Sequence, residues 1–250
     1  MKKGKNFFVS PLASFIAIVI AVVWTIPTFG LFISSIRTPQ DINTTGWWTF
    51  LTNPAFTLEN YNTVLFEGSS LSPPLSLYFL NSFAITIPGT VFPVVIATFA
   101  AYALAWFTFR GRDALFYSIF AMQAIPLQLA MIPLLQLFAG GGITGTYLPI
   151  WIAHTMFAMP IAIFLLHNFI ARIPRELIEA ARIDGADAFQ TFRMVVLPLS
   201  IPAIASFAIF QFLWVWNDLL VGLTFGAGRR EVAPLMVRLS ELTGTWGGDW

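Results

Sequence analysis

The sequence predicts an all-α integral membrane protein with five transmembrane helices. Of its 250 residues, 57% are hydrophobic and only 10% are charged, and the mean hydropathy is +0.77. Soluble domains carry about a quarter charged residues, so this composition excludes an ordinary soluble fold. The charged residues also cluster, and the runs between them reach the length of about 20 residues that an α-helix needs to cross a bilayer.

The composition also excludes several kinds of site. Cysteine is absent, histidine occurs twice and the formal net charge is +1. A chain without cysteine has no disulfide, thiol nucleophile or cysteine metal site. Two histidines leave little for a metal or catalytic centre, and the near-neutral charge gives no indication of nucleic-acid binding. A glycine-rich phosphate loop ending in Lys-Ser or Lys-Thr is also missing, so we expect no nucleotide site and no cofactor in this chain.

The first predicted span covers about residues 9–36 and follows three lysines at positions 2, 3 and 5. The apolar run from residue 6 to 36 is longer than the apolar region of a cleaved signal peptide, and no small-residue cleavage site stands out. We therefore predict a retained span with its basic N terminus in the cytoplasm.

The segment at residues 37–74 is rich in Asn, Thr, Ser and Pro, and its Asn-Pro and Pro-Pro pairs mark turns. Its acidic balance places it outside the cell, and Trp47 and Trp48 suit the membrane interface. The sequence thus predicts two parts. Residues 1–74 hold the first helix and the extracytoplasmic segment, and residues 75–250 form the main transmembrane domain.

Three more spans follow. Span two covers about residues 77–106 and ends in small residues that permit close helix packing. A charge-free stretch then provides span three near residues 114–137 and span four near residues 147–170, separated by a cluster of glycines. Proline residues inside spans two and three predict kinks, at Pro88, Pro93, Pro126 and Pro133.

A polar island at residues 172–198, called the 172–198 loop below, separates span four from span five at about residues 199–222. It carries eight charged side chains. Pro174 suits the first position of a helix, and Gly185 suits its end. A second short helix is expected to stop at Leu197-Pro198.

The charges of the first short helix are spaced for ion pairing. Glu179 lies four residues after Arg175 and three before Arg182, so each pair can meet on one helix face. Both short helices fall below the length at which a helix is stable alone, so we expect the loop to dock against something.

The distribution of basic residues supports this topology. Nine of the thirteen fall on the cytoplasmic side. The nine are Lys2, Lys3, Lys5, Arg110, Arg112, Arg172, Arg175, Arg182 and Arg193, and the other four are Arg37, Arg229, Arg230 and Arg238. We therefore expect the 172–198 loop in the cytoplasm, and five spans would place residue 250 outside.

The loop resembles a known family motif. Glu179-Ala180-Ala181, Asp184-Gly185-Ala186 and Leu197-Pro198 are similar to the EAA loop of type I ABC importer permeases. In that family the loop forms short coupling helices that fit a groove in the ATPase subunit. The resemblance implies that Glu179 makes a polar contact with the ATPase subunit and that Gly185 is the hinge between the two short helices. The alternative is an ordinary cytoplasmic loop with ion pairs and no coupling role. The implied ATPase-coupling residues are Glu179, Ala180, Ala181, Asp184, Gly185, Ala186 and Phe189.

The resemblance extends over nearly the whole chain. Asn81-Ser82, which opens span two, is similar to the pattern of sugar-import permeases. The run from Phe210 to Asp218, together with the stretch from Leu148 to His167, most resembles permeases for maltose, maltodextrin and other α-glucosides. The resemblance implies an inner-membrane importer for a carbohydrate, either an α-glucoside or an oligosaccharide. Its partners would be a second homologous permease, two ATPase subunits that bind ATP and Mg²⁺, and an extracytoplasmic sugar-binding protein. The family has a sixth span. Residues 226–250 would correspond to the segment before it, which reaches into the binding protein.

Polar residues inside spans are functional candidates by default. The polar residues inside the spans are His154, His167, Gln123, Gln128, Gln136, Asn81, Gln211, Asn217 and Asp218. Five of them are our candidates for the substrate path. For each one, hydrogen bonding between helices is the competing explanation. The five are Asn81, Gln123, Gln128, Gln211 and Asn217.

Three alternatives remain open at this stage. A secondary transporter needs ion-coupling carboxylates deep in its spans, and only Asp218 comes close. A membrane enzyme needs a catalytic constellation, whereas the four acidic residues of the 172–198 loop have basic partners nearby. An ABC importer for a peptide, amino acid or phosphate differs from the carbohydrate importer only in the solute that it transports.

Overall fold

The computed structural model describes residues 11–67, 73–226 and 228–244. Their secondary structure is helical, apart from one isolated β-bridge between Arg37 and Phe56. The contacts divide the chain into two compact units, Met1–Pro74 and Leu75–Trp250. The lysines at positions 2, 3 and 5 and the last six residues lie outside the described ranges.

The first unit consists of one long helix followed by short turns. The long helix is predominantly apolar, lacks charged residues and carries Pro27 in its interior. The elements are α1 (Pro11–Ser35), α2 (Pro39–Thr44), a 3₁₀ turn (Trp47–Leu51) and α3 (Glu59–Asn62), which continues as a π-helical turn (Thr63–Glu67).

The turns of the first unit fold back onto the end of α1. The side-chain amide of Asn60 donates to the carbonyl oxygens of Ser35 (3.1 Å) and Arg37 (2.7 Å). These bonds satisfy carbonyl groups that a helix C terminus leaves unpaired. The Trp47 ring lies so close to Gly30 that a Cβ there would be 2.9 Å from the indole nitrogen. A glycine in α1 therefore provides the space for this tryptophan.

The second unit contains the remaining helices, joined by short connections. They are α4 (Leu75–Trp106), α5 (Arg112–Ala121) with a 3₁₀ turn (Met122–Ala124), α6 (Leu127–Gly140), α7 (Tyr147–Ile170), α8 (Arg175–Ile183), α9 (Ala188–Thr191) with a π-helical turn (Phe192–Val196), α10 (Leu197–Asn217), α11 (Leu220–Phe225) and α12 (Leu235–Gly244).

Helices α4, α7 and α10 form the core of the second unit. Small residues line the contact between α4 and α7, where Ala97, Ala101 and Ala162 are completely buried. Helix α10 meets α4 at Gly89, where an added Cβ would lie 3.2 Å from a methyl group of Val215. Small residues let helix backbones approach closely in a bilayer, where burial of apolar surface no longer drives association.

Two prolines inside α4 leave carbonyl groups that neighbouring helices satisfy. Pro88 and Pro93 have no N–H to donate to the carbonyl oxygens four residues earlier, at Ala84 and Gly89. The indole N–H of Trp151 on α7 donates to the first oxygen (3.0 Å), and the amide of Gln211 on α10 donates to the second (3.1 Å). Freed backbone groups in membrane helices need such partners. Each proline thus fixes one helix to α4.

Within the described ranges, four helices are long and apolar enough to cross a membrane: Pro11–Ser35, Leu75–Trp106, Tyr147–Ile170 and Ala188–Asn217. A fifth span results if α5 and α6 are counted as one broken span. The predicted fold class, an all-α membrane protein, is confirmed.

Span three, predicted near residues 114–137 with a kink at Pro126, is broken directly before that proline. Its two halves, α5 with the following turn and α6, are bent by 98°. The break lies at Ile125, whose φ of −81° and ψ of 119° are extended. The next residue, Pro126, disfavours the helical conformation for the residue before it, which explains the break.

Two predicted boundaries around span five are wrong. The second short helix does not stop at Leu197-Pro198, because the chain is helical from Ala188 to Asn217. A π-helical turn at Phe192–Val196 precedes Pro198, and its wider hydrogen-bond spacing lets the helix pass a residue without an N–H. The span also ends at Asn217 rather than near residue 222, since Asp218 has an extended backbone.

Candidate functional site

Helix α8 of the 172–198 loop ends in a tight reversal at Gly185. The Gly185 N–H donates to the Arg182 carbonyl (3.0 Å), and the Ala186 N–H donates to the Ala181 carbonyl (2.9 Å). Gly185 has a φ of +83°, a conformation that residues with a Cβ rarely adopt. This pattern is the Schellman motif, which satisfies the last carbonyl groups of a helix.

Helix α9 begins with a reciprocal cap. The Asp187 carboxylate accepts from the Gln190 N–H (2.7 Å), and the Gln190 side chain accepts from the Asp187 N–H (2.9 Å). This capping box stabilises the start of a helix that is otherwise too short to form alone. This cap is absent from our predictions, although an Asp followed three residues later by Gln is a recognisable signal for it.

The loop is held against the end of α4. Ile178 of α8 and Phe192 are buried in the same core as the ends of α4 and α7. Phe192 stacks on Phe99 of α4, with ring centroids 4.7 Å apart. The Tyr102 hydroxyl of α4 donates to the Ala188 carbonyl (2.9 Å), at the start of α9. The loop therefore lies on α4 through both apolar and polar contacts.

The outer surface of the loop presents the predicted coupling residues. Glu179, Ala180, Asp184, Gly185 and Phe189 are exposed, while Ala181 and Ala186 are half-buried. Large apolar side chains lie exposed among the charges, with Ile183 86% and Phe189 60% accessible. We call this surface the loop face; it comprises Leu177, Glu179, Ala180, Ile183, Asp184, Gly185, Phe189 and Met194. Clustered exposed apolar side chains rimmed by polar residues indicate a binding surface.

The ion pairs expected inside α8 do not form. Within the described residues, Glu179 has no salt bridge to Arg175 or Arg182, and the two salt bridges present lie elsewhere, at Arg112–Asp113 and Arg238–Glu241. Exposed pairs gain little, because water screens the charges and fixing long side chains costs entropy. The Glu179 carboxylate therefore remains available to a partner.

A small cavity lies between α6, α7, α10 and α11. Its volume of about 10 Å³ is close to the space that a single water molecule needs. The lining includes three polar side chains, His154, Gln211 and Asp218, beside Trp214 and Phe157. The Oε1 atom of Gln211 is buried and has no hydrogen-bond partner. In this conformation the cavity has unused hydrogen-bonding capacity but no room for a solute.

The structure does not bring the five predicted path residues together. Gln211 alone among them lines the cavity. Gln123 and Gln128 are exposed on either side of the α5–α6 bend. Asn217 is exposed, and its amide donates to the Leu213 carbonyl of its own helix (2.7 Å).

Asn81 is buried, and its amide group is fully used in contacts with protein atoms. It donates to the carbonyl oxygens of Ala233 (3.0 Å) and Arg230 (3.4 Å) and accepts from the Tyr147 hydroxyl (2.6 Å). Asp218 is also committed in part, because its carboxylate accepts from the Val221 N–H (2.7 Å) at the start of α11.

No cluster of three or more His, Cys, Asp or Glu side chains that could hold a metal ion occurs in the part of the chain that the structure describes. Local sequence patterns do not reveal Trp151, Tyr102 and Tyr147, because their roles depend on contacts between distant parts of the chain.

Comparison with known proteins assigns the family. The model of the family "Binding-protein-dependent transport system inner membrane component" matches residues 93–242, which include α7, the 172–198 loop and α10. A crystal structure of a bacterial ABC transporter involved in the import of the acidic polysaccharide alginate contains a similar fold. The TM-score is 0.72 at 24% identity, over 94% of this chain and 82% of that chain.

Two relatives are similar at 49% identity. The osmoprotective compounds uptake permease protein GgtD of Synechocystis sp. matches over 98% of this chain and 83% of its own length. The alpha-glucoside transport system permease protein AglG of Rhizobium meliloti matches over 82% of this chain and 54% of its own length. The chain therefore belongs to the inner membrane components of binding-protein-dependent transport systems and is a multi-pass permease subunit of an ABC importer rather than an enzyme.

Proposed function

We propose that this permease subunit imports a carbohydrate, either an α-glucoside or an oligosaccharide. The support for the substrate is the 49% identity to two permeases, one for osmoprotective compounds and one for alpha-glucosides. It would work with a second, homologous permease, two ATPase subunits and an extracytoplasmic sugar-binding protein. The N terminus and the 172–198 loop lie in the cytoplasm in this proposal, as the distribution of basic residues favours.

The loop face is the observation that carries the proposed mechanism. It combines an unpaired Glu179 with exposed apolar side chains, and an ATPase groove would cover both. The loop also packs on α4 through Phe192 and Tyr102. Closure of the ATPase dimer on ATP would therefore move α4 together with the loop. The energy comes from the different affinity of the ATPase for the two permease conformations.

The cavity beside Gln211 supports a substrate path in the second unit. Its polar side chains, His154, Gln211 and Asp218, can bond sugar hydroxyls, and Trp214 offers a ring face for stacking. A cavity of about 10 Å³ admits water but no sugar. Transport thus requires helices around the cavity to separate, which the proposed movement of α4 provides.

Uptake by the complete complex tests the proposal. Proteoliposomes would hold both permeases and both ATPase subunits, with ATP enclosed on the ATPase side. The binding protein on the other side would be loaded with radiolabelled trehalose, sucrose or maltose. We expect uptake of at least one of these sugars that depends on ATP and stops without the binding protein. Glu179→Ala should reduce it about tenfold, since a lost contact to a charged group costs about 1.5 kcal/mol.

An Asp113→Ala variant is the matched control, because it removes an exposed carboxylate outside the loop. We expect this variant to transport normally. ATP-dependent uptake of phosphate, an amino acid or a peptide instead of a sugar would support the importer and overturn the carbohydrate assignment. Uptake without ATP, driven by an ion gradient and unchanged in Glu179→Ala, would overturn both the ABC importer mechanism and the role of the loop face.

A further inference from the structure

An open groove lies where α7 ends and where α8 and α10 begin. Its volume is about 320 Å³, which falls within the range of small-ligand sites. Five of its six lining residues are apolar, and the sixth is an arginine. We call it the Arg172 groove, and it is lined by Phe169, Arg172, Ile173, Pro174, Leu177 and Leu199.

Three features place the Arg172 groove at the edge of the hydrocarbon core of the membrane. Helix α7 has the length of a span and ends at Ile170, two residues before Arg172. The continuous helix Ala188–Asn217 has 30 residues, about ten more than a span needs. With its C-terminal part in the bilayer, the edge falls near Leu199. The indole N–H of Trp106 donates to the Ile170 carbonyl (3.3 Å), and tryptophan is typical of this level of the membrane.

The guanidinium group of Arg172 has no partner among the residues that the structure describes. The side chain is exposed and takes part in neither of the two salt bridges. An arginine just after a helix often bonds the last carbonyl groups of that helix. Here the carbonyl oxygens of His167, Phe169 and Ile170 already accept from backbone N–H groups. The charge of Arg172 is therefore available to an anion from outside the chain.

The walls of the groove are apolar and partly preformed. Phe169, Leu177 and Leu199 are exposed, while Ile173 is buried. Pro174 fixes the backbone between α7 and α8, with a φ of −55°. A site whose walls are fixed before binding loses less entropy when a ligand enters. The groove is thus suited to a flexible apolar chain that lies beside one positive charge.

A phospholipid has this combination of groups. A guanidinium group binds phosphate oxygens through two parallel N–H groups, and basic side chains at a membrane surface attract anionic lipids. Phe169 and Leu199 belong to helices of membrane length, where exposed apolar side chains face acyl chains. The groove shares only Leu177 with the loop face, so an ATPase subunit bound to the loop face need not fill it.

We propose that the Arg172 groove binds one anionic phospholipid of the surrounding membrane. Its phosphate contacts the Arg172 guanidinium, and one acyl chain lies along Phe169, Leu177 and Leu199. The lipid thereby joins the start of α8 to the start of α10 at the base of the 172–198 loop. This site depends neither on the solute that is transported nor on the contact between the loop face and the ATPase subunit.

Photolabelling of the complete complex tests the site. Nanodiscs of phosphatidylcholine would contain a small fraction of phosphatidylglycerol that carries a diazirine in one acyl chain, and mass spectrometry of peptides would locate the adducts. We expect adducts on the residues of the groove. Arg172→Gln should reduce them about fivefold, the usual effect of one basic side chain near anionic lipid. Arg193→Gln, at an exposed arginine of the same loop outside the groove, is the matched control and should label like the wild type.

A second variant tests the groove separately from the charge. Leu199→Trp narrows the groove and keeps Arg172, so we expect it to lower labelling as well. Leu213→Trp, at an exposed leucine elsewhere on α10, should leave labelling unchanged. Labelling of the groove that is unchanged in both Arg172→Gln and Leu199→Trp would overturn the proposal.

Competition identifies the source of the anionic group. Excess unlabelled phosphatidylglycerol should displace the labelled lipid, whereas excess inorganic phosphate should not. Displacement by inorganic phosphate would assign the arginine to a free anion and overturn the lipid site. Equal labelling by a diazirine-bearing phosphatidylcholine would overturn the requirement for an anionic lipid.

A crosslinker within the groove distinguishes a lipid from a protein. A benzoylphenylalanine at Leu199 would be irradiated in membranes that contain the complete complex. We expect adducts with phospholipid and none with the ATPase subunit. An ATPase adduct from this position would overturn the lipid site and leave the proposed function intact, because ATP-driven uptake tests that function independently.

Discussion

Gly185 acts through its backbone rather than through packing. Its φ is +83°, and nothing lies within 4 Å of the position that a Cβ would take. A larger residue would therefore meet no obstacle in space but would strain the backbone. A substitution of Gly185 by alanine therefore tests the backbone conformation alone, because the added Cβ would contact no other atom.

We predict that Gly185→Ala weakens coupling without unfolding the protein. A left-handed conformation costs a residue with a Cβ about 1 kcal/mol, which corresponds to about a fivefold change in an equilibrium. ATP-driven uptake should therefore fall about fivefold while the purified complex keeps its composition. The control is Gly140→Ala, at a glycine with equal free space at the end of α6 but no positive φ. Equal uptake by the two variants would contradict a conformational role for Gly185.

Single residues differ in how well the sequence predicts them. The sequence predicts a helix end at Gly185 because glycine adopts a positive φ at low cost, and the structure confirms a turn there. The pairing of Glu179 with Arg175 and Arg182 follows from spacing alone, and it does not form because water competes for exposed charges. The contacts of Asn81 join parts of the chain about 150 residues apart, and no local pattern in the sequence reports them.

At the scale of elements, the prolines of α4 determine which helices pack on it. Gln211 supplies the hydrogen that Pro93 cannot give to the Gly89 carbonyl. The sequence predicts a kink at each proline, whereas the structure also shows which side chain compensates for each. The bend at Pro126 could be anticipated in the same way. Its angle of 98° could not, because the packing of α6 is a tertiary property.

We predict that Gln211 and Pro93 are energetically coupled. Gln211→Leu should lower the free energy of unfolding in detergent by about 1 kcal/mol, because it leaves a buried carbonyl group unpaired. In a Pro93→Ala background, residue 93 can bond the Gly89 carbonyl itself, so the same substitution should cost less. Equal costs in both backgrounds, measured by denaturant titration, would show that Gln211 has no role in compensating for Pro93.

At the scale of the whole molecule, the two compact units contain different structural features. The first contributes one apolar helix with short turns packed on its end, and the second holds the core helices, the cavity and the loop face. The sequence predicts the helical membrane class and the position of the loop. It leaves the rigid attachment of that loop to α4 unforeseen, because Tyr102 and Ala188 lie 86 residues apart.

The central claim is that the loop face binds the ATPase subunit, and site-specific photo-crosslinking tests it most directly. A benzoylphenylalanine at Phe189, which is 60% exposed, would be irradiated in membranes that contain the complete complex. The same probe at Leu80, exposed near the opposite end of α4, is the control. We predict a covalent adduct with the ATPase subunit from position 189 and none from position 80. An adduct with the ATPase from position 80, or none from position 189 in a complex that still hydrolyses ATP, would contradict the account.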